Sequence, residues 1–96
     1  ADLREQIDKI DLQLLVVLAR RMNVVEKLGA IKNEKNITVL QLERWREMIK
    51  DRLEKAESFG LGDAFILRLL QLVHKQSIQI QTKIFNDLER DKKLNK

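Results

Sequence analysis

Aliphatic residues recur every three or four positions through the first third of the chain. The members of this stripe are Leu3, Ile7, Ile10, Leu14, Val17, Arg21, Val24, Leu28 and Ile31. The steps alternate between four and three without a break, so the pattern predicts one long amphipathic helix over residues 2–35. Such a helix is about 50 Å long, whereas a compact chain of this size has a radius of gyration of about 13 Å. The stripe therefore needs a cover larger than the chain itself, which predicts an obligate oligomer.

Helical periodicity returns twice after this stripe. A second helix is predicted over residues 39–59, where Thr38 and Gln41 have the spacing of a capping box and Gly60 provides a stop. A third is predicted over residues 63–92, with an inward stripe of Ile66, Leu69, Leu70, Val73, Ser77, Ile80, Ile84 and Leu88. No segment alternates with a period of two. The sequence thus predicts an all-α fold of three helices, long, short and long, forming a single domain over residues 1–96.

Composition and charge narrow the choice of environment and partner. The chain has no cysteine, which excludes disulfides and thiolate metal sites and favours a reducing, cytoplasmic location. Its longest apolar run is too short to cross a membrane. The net charge is +4, but only the tail residues Arg90, Lys92, Lys93 and Lys96 cluster, so we expect a solvated tail rather than a nucleic-acid site. The chain starts at Ala1 without Met, which suggests processing or excision from a longer protein.

Arg21 is the one charged residue in the first stripe, and a buried charge requires a partner. One interpretation is a salt bridge to an acid such as Glu26 or Glu43. The other is an anion site. Lys32 follows Arg21 by eleven residues, which is about 20° around a helix and roughly 16 Å along it. Together the two cations could bracket a small dicarboxylate.

Further polar residues extend this hypothesis. Ser77 and Gln81 lie four residues apart on the inward face of the third helix. A serine there often bonds to its own backbone, yet together with Arg21 and Lys32 it describes a cavity with donors and no acid. Arg4 lies about 25 Å from Arg21 along the first helix. It could join the cavity only from the antiparallel helix of a partner subunit, and a two-fold dimer would form two such sites.

Other residues offer weaker candidates. His74 is the single histidine and lacks metal-ligand spacing, so it is interpreted as a residue on the flank of a helix, and no metal is expected. Trp45 is interpreted as core. The sequence shows no recognisable Ser/His/Asp catalytic set, and Gly60-Leu61-Gly62 is interpreted as a turn rather than a phosphate loop.

Several segments match a known family. Residues 3–11, 14–15, 20–21 and 29–32, together with Arg44, Gln76-Ser77 and Gln81, resemble the all-helical, AroQ-type chorismate mutases over residues 2–81. Residues 36–45 further resemble the mutase domain fused behind DAHP synthase in some bacterial bifunctional enzymes. The resemblance implies an intertwined three-helix homodimer with two equivalent sites. It also implies the rearrangement of chorismate to prephenate, which needs no cofactor.

The resemblance also assigns roles to individual residues. Arg21 and Arg4 of the partner subunit would bind the two carboxylates, and Lys32 with Gln81 would contact the ether oxygen whose bond breaks. Ser77 would help to hold a carboxylate, Arg44 would support the charge of the site, and Gln41 would contribute its backbone N–H. Two positions depart from the family: Gln41 stands where an acid is common, and Trp45 replaces a glutamate that contacts the substrate hydroxyl.

Three alternatives remain open at this stage. An isochorismate-pyruvate lyase uses a similar helical scaffold with a cationic pocket. A non-catalytic dimerisation or prephenate-sensing module could regulate an attached synthase. A nucleic-acid-binding coiled coil would show salt-dependent binding to duplex DNA.

Overall fold

The computed structural model describes residues 2–94, which form three helices and no strand. These are α1 (Leu3–Glu34), α2 (Leu42–Ser58) and α3 (Asp63–Leu94). The predicted all-α class and the order long, short, long are confirmed, while Lys96 of the basic tail lies outside the described residues. Within this part of the chain, none of the helices combines the length and the apolar character that a membrane span requires.

Local hydrogen bonds set the ends of α1. The Asp2 carboxylate accepts a hydrogen bond from the N–H of Arg4 at 3.0 Å and caps the N-terminus. At the other end Asn36 adopts a positive φ of 57°, a left-handed conformation that asparagine tolerates better than most residues. The N–H of Ile37 then donates to the carbonyl of Lys32 at 2.7 Å. This Schellman-type closure ends the helix where the sequence predicted an end.

The capping box predicted at Thr38 is wrong. Helix α2 begins at Leu42, three residues later than expected, with Gln41 as an N-cap that makes no side-chain capping bond. The carbonyl of Val39 accepts a hydrogen bond from the Lys32 ammonium, so the segment between α1 and α2 remains outside the helix. The end of α2 follows prediction, because Gly60 takes the left-handed φ of 74° that closes the last turn.

Helix α3 packs against both other helices and so forms the centre of the fold. The buried face of α1 against α3 consists of Val25, Gly29 and Asn33. Gly29 allows a close approach, since a Cβ added there would lie 3.1 Å from the Cα of Gln81. Further along, Asn33 donates to the Glu89 carboxylate at 2.9 Å, which fixes the C-terminal half of α3 to the end of α1.

The aliphatic stripe of α1 takes no part in this core. Its members are 41–73% exposed at Leu3, Ile7, Ile10, Leu14, Val17, Val24, Leu28 and Ile31. The molecule measures 60 × 31 × 16 Å, and its radius of gyration of 17.1 Å exceeds the value of about 13 Å for a compact chain. Helix α1 therefore carries two apolar faces, one packed on α3 and one open. The exposure agrees with the need for a cover that the sequence predicted.

Candidate active site

One cavity of about 270 Å³ lies where the three helices and the segment between α1 and α2 meet. That volume is just below the range of about 300–1,000 Å³ for small-molecule sites. Six of the seven predicted site residues line it: Arg21, Lys32, Gln41, Arg44, Ser77 and Gln81. The seventh, Arg4, lies in the first turn of α1 and is not part of the lining. The structure therefore brings together every predicted site residue that one chain was expected to contribute.

Arg21 contacts a hydroxyl rather than an acid. Its Nη1 donates to Ser77 Oγ at 2.6 Å, and Ser77 Oγ donates in turn to the carbonyl of Val73 at 2.8 Å. Burial, and secondarily the positive charge of Arg52, lowers the pKa of Arg21 below its usual value. Of the two interpretations of Arg21, the salt bridge to Glu26 or Glu43 is absent from the structure, because Arg21 forms no ion pair within residues 2–94 and Glu43 pairs with Arg46. A serine hydroxyl orients the guanidinium and leaves its charge uncompensated.

Lys32 is positioned by the segment that follows α1. Its Nζ donates to the carbonyl of Val39 at 2.8 Å, a bond that uses one of the three ammonium hydrogens. Burial lowers the pKa of Lys32 below the ordinary lysine value. The chain turns sharply at the end of α1 and brings Val39 within hydrogen-bond distance of Lys32. The non-helical segment 37–41 between α1 and α2 therefore helps to position the ammonium in the site.

Gln81 and Ser77 are the two most enclosed polar residues of the cavity, with 4% and 3% of their surfaces exposed. The Nε2 of Gln81 donates to the carbonyl of Ser77 at 3.3 Å, which leaves a second amide hydrogen. Its Oε1 is buried and has no hydrogen-bond partner among the described residues. An unsatisfied buried amide is unusual in a folded protein, and one beside a cavity suits a group that completes its bonds with a ligand.

Three further residues with polar or aromatic side chains line the cavity that the sequence did not predict as site residues: Trp45, Arg52 and His74. Arg52 lines the cavity together with Arg44, which lies eight residues earlier on the same face of α2. His74 lies three residues before Ser77 and seven before Gln81, so helical spacing would have placed it in the site. Trp45 is half-buried and stacks on His74, with ring centroids 3.8 Å apart and planes inclined by 27°. The interpretations of Trp45 as core and of His74 as a flank residue missed this wall.

The charged lining of the cavity has one sign. Four cations line it, namely Arg21, Lys32, Arg44 and Arg52, and among the described lining residues there is no carboxylate. Arg52 pairs with the Asp51 carboxylate at 2.6 Å, whereas Arg21, Lys32 and Arg44 have no ion pair among the described residues. Uncompensated cations in a partly desolvated cavity attract a multiply charged anion. Arginine and lysine together can bind two carboxylates and still present a donor to a third, neutral oxygen. The cavity therefore suits a compact dicarboxylate.

Residues 3–82 match the family described as chorismate mutase type II. The chain belongs to this family. Membership supports chorismate mutase activity, which is an isomerisation. The match ends just after Gln81, the last predicted site residue, so it spans all seven predicted positions.

Individual relatives are similar to the chain over most of its length. The chain is 29% identical over 91 residues to a bifunctional chorismate mutase/prephenate dehydratase of Buchnera aphidicola, covering 95% of this chain and 24% of that protein. It is 33% identical over 75 residues to the T-protein of Enterobacter agglomerans, covering 78% and 20%. It is also 36% identical over 75 residues to the isochorismate pyruvate lyase of Pseudomonas aeruginosa, covering 77% and 73%.

The first two of these relatives are much longer than the chain, which spans about a quarter of their length or less. A mutase segment within a larger bifunctional enzyme is thus documented among relatives. The second activity in the name of the Buchnera protein is prephenate dehydratase, not DAHP synthase, so the predicted fusion partner receives no support from that relative.

Proposed function

We propose that residues 1–96 form one mutase domain that rearranges chorismate to prephenate. The observation that carries the proposal is the set of four cations around a single cavity, with the second amide hydrogen of Gln81 beside them. The rearrangement is unimolecular and pericyclic, so it needs no nucleophile, acid, base or cofactor. An enzyme can accelerate it by restraining the substrate and by stabilising the charge that develops.

The cations would divide this work. Arg21, oriented by Ser77, would bind a carboxylate and hold the enolpyruvyl arm over the ring. Negative charge grows on the ether oxygen as its C–O bond lengthens. Lys32 and the free amide hydrogen of Gln81 would stabilise that charge more strongly in the transition state than in the ground state. Arg44 would add positive potential at the cavity, and Gln41 would offer its backbone N–H.

A homodimer is part of the proposal, and the exposed stripe of α1 supports it. Contiguous exposed apolar surface of this kind marks an interface on a protein in solution. A second copy of α1 running antiparallel would cover the stripe and bring Arg4 of the partner subunit toward Arg21. Arg4 would then bind the second carboxylate. A cytoplasmic location, as expected of a biosynthetic enzyme family, belongs to the same proposal.

A fusion to a DAHP synthase domain remains a finer proposal. It is supported by the resemblance of residues 36–45 to the mutase domains of such bifunctional enzymes, and relatives show that this domain occurs inside longer chains. Sequencing the gene beyond both ends of the chain tests it. Finding a dehydratase or dehydrogenase reading frame in place of a synthase would contradict it.

The second candidate function is isochorismate-pyruvate lyase, favoured by the 36% identity to the Pseudomonas enzyme. Both reactions require a cationic cavity, so geometry alone does not separate them. The purified domain should be given chorismate and isochorismate in parallel, with prephenate and pyruvate measured as products. We expect prephenate from chorismate at a much higher kcat/KM than pyruvate from isochorismate. The reverse ratio would establish the lyase, and no product from either would leave a binding module.

A further inference from the structure

His74 and Trp45 form one wall of the cavity, and Trp45 is a position where the chain departs from the family. The resemblance places a glutamate that contacts the substrate hydroxyl at residue 45, and an indole cannot accept that hydrogen bond. The indole instead stacks on the imidazole of His74, at a centroid distance of 3.8 Å. Both rings line the cavity. The imidazole of His74, which stacks on Trp45, is therefore a candidate to replace the carboxylate acceptor that residue 45 lacks.

We propose that His74, held in place by Trp45, accepts the hydrogen bond of the substrate's ring hydroxyl. The inference rests on the proposed mutase function and assigns a specificity residue to its cavity. Neither ring nitrogen of His74 makes a hydrogen bond to another group in residues 2–94, so both are available to a ligand. A neutral imidazole has one nitrogen with a free lone pair, which is the acceptor that a hydroxyl requires.

The charges around His74 keep it in the accepting form. Burial, then the positive charges of Arg21 and Lys32, lower the pKa of His74 below its ordinary value of 6.5. From α1 the ring faces these two cations, and from α2 the same cavity receives Arg44 and Arg52. No acid lines the described cavity to oppose them. The imidazole is thus neutral at pH 7, and protonation would remove the acceptor and add a fifth cation.

Other acceptors in the cavity are less suited to the hydroxyl. Ser77 Oγ already contacts Arg21 and the carbonyl of Val73. Gln81 lies against α1 at Gly29, next to Ser77, where the reacting ether oxygen is proposed to bind. Gln41 is exposed at the start of α2 and stands as the main rival. The neutral acceptors without a partner among these residues are therefore the half-buried His74 and the buried Oε1 of Gln81, which lies at the proposed ether-oxygen end of the cavity.

Kinetics with two substrates tests the proposal. The wild type, His74→Phe and His74→Gln should be assayed with chorismate and with the analogue that lacks the ring hydroxyl. Phenylalanine preserves the stack on Trp45 but removes the acceptor, so we expect kcat/KM for chorismate to fall about tenfold, mostly through KM. Turnover of the analogue should change less than twofold. Glutamine retains an acceptor and should recover most of the loss.

The outcomes separate this inference from the proposed function. Equal losses with both substrates would show that His74 merely shapes the cavity, which overturns the proposal. A hydroxyl-dependent loss in Gln41→Ala, with none in His74→Phe, would move the contact to Gln41 and overturn it as well. Failure of the wild type to form prephenate would reject the mutase assignment. The role of His74 would then be decided by a binding measurement.

Nuclear magnetic resonance provides that measurement, because the chain has a single histidine and its imidazole signals need no further assignment. Prephenate, which carries the ring hydroxyl, should shift one ¹⁵N resonance of His74, and a dicarboxylate without the hydroxyl should not. Equal shifts with both ligands would contradict the proposal. The role of Trp45 as a positioning residue predicts that Trp45→Ala raises the pKa of His74 toward 6.5 and that Trp45→Phe does not.

Discussion

Arg21 Nη1 and Ser77 Oγ lie 2.6 Å apart, and this hydrogen bond joins α1 to α3 at the edge of the cavity. Ser77 donates its own hydrogen to the carbonyl of Val73, so its lone pairs face the guanidinium. The serine thus orients a cation that has no acidic partner within the described chain. The family resemblance implies that Ser77 holds a substrate carboxylate, whereas the geometry supports an action on that carboxylate through Arg21.

Replacing Ser77 tests this positioning role. In Ser77→Ala the guanidinium loses its anchor, and a hydrogen bond to a charged group contributes about 1.5–3 kcal/mol. We expect kcat/KM for chorismate to fall about 10- to 100-fold, with KM raised because the carboxylate is bound less well. Ser58→Ala is the matched control, since Ser58 is exposed on α2 and caps the carbonyl of Lys55. Wild-type KM in Ser77→Ala would show that Arg21 is held by other contacts.

Lys32 carries the proposed stabilisation of the ether oxygen. In Lys32→Ala we expect kcat to fall about 10²–10³-fold, the loss seen when one donor of a developing oxyanion is removed. The helical content should persist, because the ammonium contributes one hydrogen bond to the carbonyl of Val39. Lys35→Ala, at an exposed lysine just past the end of the same helix, should retain wild-type kinetics. Wild-type activity in Lys32→Ala would contradict the proposed contact between Lys32 and the ether oxygen.

The pKa of Lys32 predicts an alkaline limit to activity. Lys32 must be protonated to act, and burial lowers its pKa below 10.5, so kcat/KM should decline at a lower pH than an ordinary lysine would allow. A bound dianion favours the ammonium, and the decline in kcat should therefore come at a higher pH than the decline in kcat/KM. In Lys32→Arg the alkaline decline in kcat/KM should move above the pH range that can be measured. A decline that persisted in Lys32→Arg would belong to another titrating group.

The alkaline decline in kcat/KM cannot be explained by unfolding of the protein. Because the folded-state pKa of Lys32 lies below its unfolded value, the folded state releases its proton at a lower pH than the unfolded state does. The contribution of this group to the free energy of unfolding then increases, rather than decreases, as the pH rises between the two values. Circular dichroism across the same pH range should therefore show no loss of helix where activity declines.

Much of the fold and most of the site followed from the sequence because helical periodicity and cap chemistry are local properties. Gly60 marked the end of α2, where it takes the left-handed conformation that closes the last turn, and Asn36 takes the same conformation at the end of α1. Arg21 and Ser77 were expected to line one cavity because each is a polar residue in an otherwise aliphatic stripe. The interruption itself was the signal, since an uncompensated charge in a seam requires a partner across it.

The remaining features depend on contacts between distant segments. Thr38 and Gln41 satisfy the pattern of a capping box, yet Lys32 takes the carbonyl of Val39 and the helix starts at Leu42. The Trp45–His74 stack joins residues 29 positions apart, and no local pattern predicts that pairing. The same limit applies to the two faces of α1, since periodicity revealed the open stripe but not the separate face that packs on α3.

Gly29 determines how closely α1 approaches Gln81. A methyl group in Gly29→Ala would lie 3.1 Å from the Cα of Gln81, and a backbone atom in a packed helix moves less readily than a side chain. Overpacking costs about 1–3 kcal/mol, and the higher helix propensity of alanine returns up to about 1 kcal/mol. We expect the free energy of unfolding to fall by about 1 kcal/mol and kcat to fall as Gln81 shifts. Gly62→Ala is the control, because nothing lies within 4 Å of its added Cβ. Denaturant titration of both variants measures the difference, and a Gly29→Ala protein as stable as Gly62→Ala would contradict the close packing.

Arg4 provides the sharpest test of the proposed dimer, because it lies about 25 Å along α1 from Arg21 of the same chain. Arg4→Ala and Arg21→Ala should each be nearly inactive alone. If each site takes Arg21 from one subunit and Arg4 from the other, a mixed dimer has one site with both arginines and one with neither. Unfolding the two variants together and refolding them in equal amounts should then restore about one quarter of wild-type activity, since about half of the dimers are mixed.

The mixed dimer also distinguishes a site shared between subunits from a site within one subunit. If Arg4 served the site of its own subunit, each site of a mixed dimer would lack one arginine and no activity would return. Mixing Arg4→Ala with the Arg4→Ala/Arg21→Ala double variant is the matched control, because none of its dimers contains a complete site.

A charge placed in the open stripe tests the dimer interface itself. Leu14 is 55% exposed in the single chain and would be buried by the partner helix. Leu14→Glu should therefore abolish the recovery of activity and reduce the mass in solution to that of a monomer.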